Sequence, residues 1–135
     1  MKNRDLVQDY FTRSQARIKA LHTLMDEKSY ADVARESQEI VELCAKGILR
    51  HFGIEPARVH DVSEQLKEIA ISLKEKKLID INIVISASRA LRRDRELAFY
   101  GGEDLTPGKF YQQEDAVISM GYAKECVRIF GGFLI

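Results

Sequence analysis

The architecture of this chain is easiest to read in residues 29–66, SYADVARESQEIVELCAKGILRHFGIEPARVHDVSEQL. Apolar and small side chains recur there at three- and four-residue spacing from Val33 to Phe52, which is the period of one helical face. Gly53 and Pro56 then mark the end of that helix, because glycine suits a C-terminal stop and proline prevents the helix from continuing. The segment is therefore predicted to contain one helix, a short loop and the start of another helix.

Two polar pairs predict where these helices begin. Ser29 precedes Asp32 by three residues, and Asp61 precedes Glu64 by the same interval. Each pair has the spacing of a capping box, in which side chains satisfy the free N–H groups of the first turn. The apolar positions of the helix that follows Asp61 are Leu66, Ile69, Ala70 and Leu73. Its C-terminal end is predicted at the lysine cluster in residues 74–77, where cations suit the helix dipole.

The same periodicity predicts three helices outside this segment. The first carries an apolar stripe from Leu6 to Met25. A fourth helix is expected to begin near Asp80. The β-branched residues 81–85 also allow a strand there, but the continuation favours a helix. A last helix is predicted from about Gln112 to Phe130, and its buried side is expected to carry Ala116, Val117, Met120, Ala123, Val127 and Phe130.

Glycine and proline between residues 101 and 108 indicate a loop of about ten residues before the last helix. No alternating apolar pattern argues for a sheet. The prediction is an all-α, up-and-down bundle of four to five helices, with short links that favour antiparallel neighbours. The apolar C-terminus, residues 130–135, is expected either to complete the core or to contact a partner.

Composition limits the possible functions. The chain has 135 residues, 45% of them hydrophobic, which suits a single domain over residues 1–135. Its 21 basic and 21 acidic residues give no net charge. This balance argues against a protein that binds nucleic acid non-specifically over its whole surface, but it allows a local basic patch. No apolar run reaches the roughly 20 residues of a membrane span, and the charged N-terminus is unlike a signal peptide. Cys44 and Cys126 are isolated, so no disulfide, metal site or cofactor is expected, and the predicted location is cytoplasmic.

Several features occur in the order found in one family. Gly53-Ile54-Glu55-Pro56 ends a helix rich in small residues, and His60-Asp61 opens the next one. An Arg-rich fourth helix, a glycine-containing loop and Glu114-Asp115-Ala116 follow. In this arrangement, residues 5–133 resemble the HEPN domain (higher eukaryotes and prokaryotes nucleotide-binding).

The resemblance implies a four- to five-helix bundle that pairs into a homodimer. Such proteins are often encoded beside a minimal nucleotidyltransferase partner, as a toxin–antitoxin or stress module. Many HEPN domains are metal-independent endoribonucleases. Their motif is an Arg, a polar residue, and a His four to six positions after the Arg.

The chain departs from this motif in residues 93–100, which contain no His. Arg95-Glu96 followed by Tyr100 has the spacing of the motif, with Tyr in the His position. The resemblance therefore makes Arg95 and Tyr100 the candidate catalytic pair. An unperturbed tyrosine has a pKa of about 10, so it is a poor general base near neutral pH.

Three arginines form the clearest candidate for phosphate binding. Arg89, Arg92 and Arg93 have i, i+3, i+4 spacing and share one helical face, and arginine suits bidentate contact with phosphate. The alternative is a solvated face whose arginines pair with Asp94, Glu96, Glu103 and Asp104. His60 is interpreted either as a loop residue whose hydrogen bond fixes the turn or as a ligand contact at the dimer cleft. His51 is interpreted as a residue that complements the dipole at the end of its helix.

Three functions follow from these observations. The leading one is a nucleotide-, RNA- or partner-binding HEPN module that has lost the motif His. The second is a metal-independent endoribonuclease that uses Arg95 and Tyr100. The third is a helical bundle for structural or protein–protein roles, without a role in nucleic-acid binding.

Overall fold

The computed structural model describes residues 2–92, 101–102 and 106–135. Its helices are α1 (Lys2–Asp26), α2 (Tyr30–His51), α3 (Ser63–Ala70), α4 (Glu75–Arg92), α5 (Pro107–Phe110) and α6 (Gln113–Phe133). The described residues form no strand. The predicted all-α bundle is confirmed, and five of these helices are the expected ones. The addition is α5, a single turn inside the predicted loop that begins with proline at its first position.

Helix α2 is the centre of the bundle, and α1, α4 and α6 all pack against it. Its inward face supplies the fully buried core residues Ile40, Val41, Cys44, Ile48 and Leu49. This burial follows the apolar period that the sequence displays, because a central helix must present apolar side chains to several neighbours at once.

The C-terminal stop of α2 is confirmed in detail. Gly53 has φ +78°, and its N–H donates to the carbonyl of Arg50 at 2.9 Å. The N–H of Ile54 donates to the carbonyl of Leu49 at 2.9 Å. These two bonds form a Schellman motif, which requires the left-handed conformation that glycine adopts without strain. Phe52 was expected on the buried stripe, and that prediction is wrong: it lies beyond the last helical residue and is 38% exposed.

The predicted starts of α2 and α3 are also found. The Ser29 hydroxyl donates to the Asp32 carboxylate at 2.6 Å beside the first turn of α2. Asp61 lies one residue before the N-cap of α3, and its carboxylate accepts the N–H of Ser63 at 2.9 Å. The polar pairs therefore lie at the helix starts, but the predicted capping boxes are wrong, because the N-caps Ser29 and Val62 make no side-chain cap hydrogen bond.

The boundary between α3 and α4 differs from the prediction. Helix α3 ends at Ala70, where the N–H and the hydroxyl of Ser72 both bond to the carbonyl of Ile69 and close the last turn. The lysines in residues 74–77 therefore do not end α3, because they lie at the start of α4. Helix α4 begins at Glu75, five residues before the predicted start, and the strand alternative for residues 81–85 is wrong.

Helix α6 begins as predicted, with the N–H of Gln112 donating to the Asp115 carboxylate at 2.8 Å. It runs three residues past the predicted end, to Phe133. Val117 was expected to be buried, but it is 55% exposed because it lies on the side of α6 away from the core. The apolar C-terminus completes the core, with Phe130 fully buried and Phe133 and Leu134 packed partly against it.

Within the part of the chain that the structure describes, every helix is too short or too polar to cross a membrane.

Candidate functional site

Two of the predicted site residues lie at the C-terminal end of α4. Arg89 and Arg92 belong to its last turns, as the spacing predicts. Arg93, Arg95 and Tyr100 lie outside the described residues, so the proposed Arg95–Tyr100 pair stays a prediction. The acidic residues that were considered as partners for the arginines, Asp94, Glu96, Glu103 and Asp104, also lie outside the described residues.

Asp61 ties the start of α3 to this end of α4. One of its carboxylate oxygens accepts the N–H and the hydroxyl of Ser63 and, at 3.0 Å, the hydroxyl of Ser88. Both serines are buried, with 2% and 4% of their surface exposed. A half-buried carboxylate that accepts hydrogen bonds from buried donors holds those donors in fixed positions, because breaking any bond leaves a buried donor without water. The backbone at Ser88, and hence at the following Arg89, is therefore fixed relative to the start of α3.

Arg89 lies at the surface of this junction. One of its terminal nitrogens lies 3.5 Å from a carboxylate oxygen of Glu64 in α3. The Arg89 and Glu64 side chains are 49% and 83% exposed, so water competes with the pair and its contribution is small. Arg89 can therefore exchange this carboxylate for another anion at little cost.

His60 reaches from the α2–α3 loop to α2. Its Nδ1 lies 2.8 Å from a carboxylate oxygen of Glu42, and the other oxygen of Glu42 lies 3.3 Å from the Lys46 ammonium group. A carboxylate only accepts hydrogen bonds, so Nδ1 carries the proton and Nε2 is left to bond elsewhere. The interpretation of His60 as a residue that fixes the loop is consistent with this contact.

Gln65 holds the remainder of the same loop. Its side-chain amide donates to the carbonyl of Glu55 at 3.0 Å and accepts the N–H of Ala57 at 2.8 Å. The loop between α2 and α3 is thus attached at two points, to α2 through His60 and to α3 through Gln65. The hydrogen bond from Ser88 to Asp61 places the end of this loop beside α4.

Sequence reasoning missed three residues of this arrangement: Glu42, Gln65 and Ser88. Glu42 is 18 residues from His60, and Ser88 is 27 residues from Asp61. Their residue types are common on helix surfaces, and no local spacing links them to the loop. Only their partners in the folded chain reveal them.

The described residues contain no group of three or more His, Cys, Asp or Glu side chains arranged to hold a metal ion. Cys44 and Cys126 are both buried and unpaired with each other. Burial raises the pKa of the Cys44 thiol well above its usual range and raises the pKa of Cys126 to about 12. Neither thiol is poised as a nucleophile, because the thiolate is the reactive form.

Comparison with protein families identifies this arrangement of helices. The family model of the HEPN domain matches residues 7–132, nearly the whole chain. The chain therefore belongs to the HEPN domain family, and the resemblance noted in the sequence is confirmed. Membership places it among nucleotide- and RNA-related modules in general. Comparisons with curated proteins and with solved structures find no match.

Proposed function

We propose that this HEPN protein is an RNA- or nucleotide-binding module of a toxin–antitoxin or stress system, and that the C-terminal end of α4 contacts the phosphates. One observation carries the proposal. The hydrogen bonds of Asp61 fix the start of α3 against Ser88, so the loop that bears His60 ends beside the part of α4 that carries Arg89.

The chemistry of the described residues suits phosphate. The guanidinium of Arg89 offers paired N–H donors that match two phosphate oxygens. Its only described ion-pair partner is the exposed Glu64, which a phosphate can displace. His60 keeps Nε2 available while Nδ1 is held by Glu42, so its ring could bond to a ribose hydroxyl or to a second phosphate oxygen.

The test is RNA binding measured by fluorescence anisotropy over a range of salt concentrations. A variant with Arg89→Gln, Arg92→Gln and Arg93→Gln should bind single-stranded RNA more weakly. Each lost phosphate contact should reduce the slope of log affinity against log salt by about 0.7. Loss of all three contacts should therefore reduce the slope by about 2.

A charge-matched control separates this site from general electrostatics. The variant Arg13→Gln, Lys19→Gln, Lys124→Gln removes the same charge from exposed positions on α1 and α6. It should retain most of the affinity. Equal losses in the two variants would contradict the site, and the absence of any RNA or nucleotide binding by the wild-type protein would contradict the function.

The same preparation tests catalysis. Cleavage of RNA in EDTA by the wild-type chain, abolished by Tyr100→Phe with Arg95→Ala, would establish a metal-independent ribonuclease in which tyrosine replaces the motif histidine. The proposed binding module should instead bind RNA and leave it intact. Failure to bind any RNA or nucleotide would favour the structural or protein–protein role.

We also propose that the protein works as a homodimer beside a minimal nucleotidyltransferase partner, as the family resemblance implies. Sedimentation equilibrium should give about twice the 15.4 kDa mass of the chain. A monomer at micromolar concentration would contradict the homodimer.

A further inference from the structure

A second cleft, remote in sequence from the α3–α4 junction, lies where α1 begins and α2 and α6 end. It encloses about 260 Å³. Its lining residues are Asn3, Arg4, Val7, Gln8, His51 and Leu134. Four of these side chains can donate hydrogen bonds, and the other two are apolar.

The charge of this cleft is unusual for the molecule. Among the residues that the structure describes, no carboxylate lines the cleft, and neither Arg4 nor His51 takes part in an ion pair. Another cleft of about 260 Å³ lies between α1 and α2, and it makes a useful comparison. The cleft between α1 and α2 is lined by Glu39 and Glu42 as well as by Arg13, Arg17 and Lys46, and Lys46 pairs with Glu42 at 3.3 Å. The cleft between α1 and α2 thus places carboxylates beside its basic residues, whereas the cleft at the start of α1 leaves Arg4 without one.

The backbone of Arg50, in the last turn of α2, holds one side of the cleft. The side-chain amide of Asn3 donates to the Arg50 carbonyl at 2.8 Å, which fixes Asn3 at the cleft.

The dipole of α2 explains only part of the arrangement. A cation at the end of α2 complements the dipole, which accounts for His51. It does not account for Arg4, because that residue belongs to the first turn of α1, where a cation is unfavourable. Arg4 and the imidazole of His51, from two helices, therefore meet at one cleft, and the position of Arg4 is unfavourable for its own helix.

We propose that this cleft binds the phosphate group of a mononucleotide-sized ligand. Arg4 supplies a fork of donors for two phosphate oxygens, and His51 and the amides of Asn3 and Gln8 can bond to the others. Val7 and Leu134 provide an apolar floor for the remainder of the ligand. The proposal does not depend on RNA binding at α4.

The experiment is a titration of the whole, isotopically labelled chain, followed by two-dimensional NMR of the backbone amides. The probes are inorganic phosphate, adenosine monophosphate and adenosine. Phosphate and the monophosphate should shift the signals of Asn3, Arg4, Gln8 and His51 saturably, and uncharged adenosine should not. Tighter binding of the monophosphate than of phosphate would identify a nucleotide site, and equal binding would identify a site for the phosphate group alone.

Variants make the assignment specific. Arg4→Gln should weaken phosphate binding about tenfold, because it removes a charge-assisted pair of hydrogen bonds. Arg13→Gln, on the same helix but outside the cleft, should not change the affinity, and Arg89→Gln should leave it unchanged even if it abolishes RNA binding. Arg4 is exposed, so the fold should be retained, and unchanged NMR signals elsewhere would verify this. Equal affinities of the Arg4 and Arg13 variants, or equal shifts with adenosine, would overturn the proposal.

Discussion

Gly47 offers a sharp test of how the bundle is packed. It lies in the interior of α2, and a Cβ at this position would lie 2.2 Å from Cζ and 2.6 Å from Cε2 of Phe130 in α6. The Phe130 side chain is fully buried, and its ring packs edge-to-face against Phe11 with 5.5 Å between the ring centroids. The ring therefore has no open space into which it could move.

The cost of Gly47→Ala can be worked out from these distances. The closest approach is 1.2 Å shorter than the 3.4 Å at which ordinary contact begins, so the cost belongs at the upper end of overpacking, about 3 kcal/mol. Alanine recovers about 1 kcal/mol, because glycine is costly inside a helix. The net loss in the free energy of unfolding is about 2 kcal/mol, which should lower Tm by about 8 °C for a domain of this size.

The assay is urea and thermal unfolding followed by circular dichroism, with Gly121→Ala as the matched control. Gly121 lies in α6 with nothing within 4 Å of its added Cβ, so alanine there should stabilise the protein by about 1 kcal/mol. Combining Gly47→Ala with Phe130→Leu should cost less than the sum of the two changes, because the smaller side chain relieves the overlap. A Gly47→Ala protein as stable as the wild type, or stabilised like the control, would refute the close packing of α2 against α6.

Three further predictions concern the half-buried carboxylate of Asp61, the thiols of Cys44 and Cys126, and the half-buried carboxyl group of Glu36. Asp61→Ala should lower the free energy of unfolding by about 3 kcal/mol, because it leaves several buried donors unsatisfied, and Ser88→Ala should lower it by about 1 kcal/mol. Urea unfolding measures both values, and similar losses for the two variants would contradict this prediction. Burial raises the pKa of both Cys44 and Cys126, so a thiol reagent at about pH 8 should modify them only after guanidinium unfolds the chain, and rapid reaction of the folded protein would show that they are accessible. Burial raises the pKa of Glu36, so the folded state binds the carboxyl proton more tightly than the unfolded state does. The free energy of unfolding therefore falls as the pH rises from the usual carboxyl pKa of 4.5 through the pKa of the folded state. Glu36→Gln should therefore raise Tm at neutral pH and leave it unchanged well below pH 4.5, and a gain that persists in acid would point to another cause.

The helices were predictable because their signals are local. The end of α2 follows from Gly53, whose left-handed conformation and two closing hydrogen bonds need only neighbouring residues. The start of α4 was predicted five residues too late because α3 ends early, in a turn that the Ser72 hydroxyl closes. A single serine does not identify such a turn in a sequence. Val117 was wrongly predicted to be buried, because the apolar period does not indicate which part of α6 the neighbouring helices cover.

The candidate site was predicted in its parts but not in its connections. Helical spacing places Arg89 and Arg92 near each other, and the loop position of His60 is evident from the chain. The contacts that relate these parts join His60 to Glu42 and Asp61 to Ser88, across separations of 18 and 27 residues. No periodic pattern records such pairs, because each is formed only when helices pack.

By itself, the sequence determined that this chain is an all-α bundle of the HEPN family, where most of its helices lie and which end of α4 is rich in arginine. Helical period, capping pairs and glycine stops act within a few residues, so one sequence contains them in full. The tertiary structure alone decided that Asp61 fixes α3 to α4, that Phe130 packs onto Gly47, and that Arg4 and His51 share a cleft. These contacts join helices that are distant along the chain, and packing and charge in three dimensions bring them together.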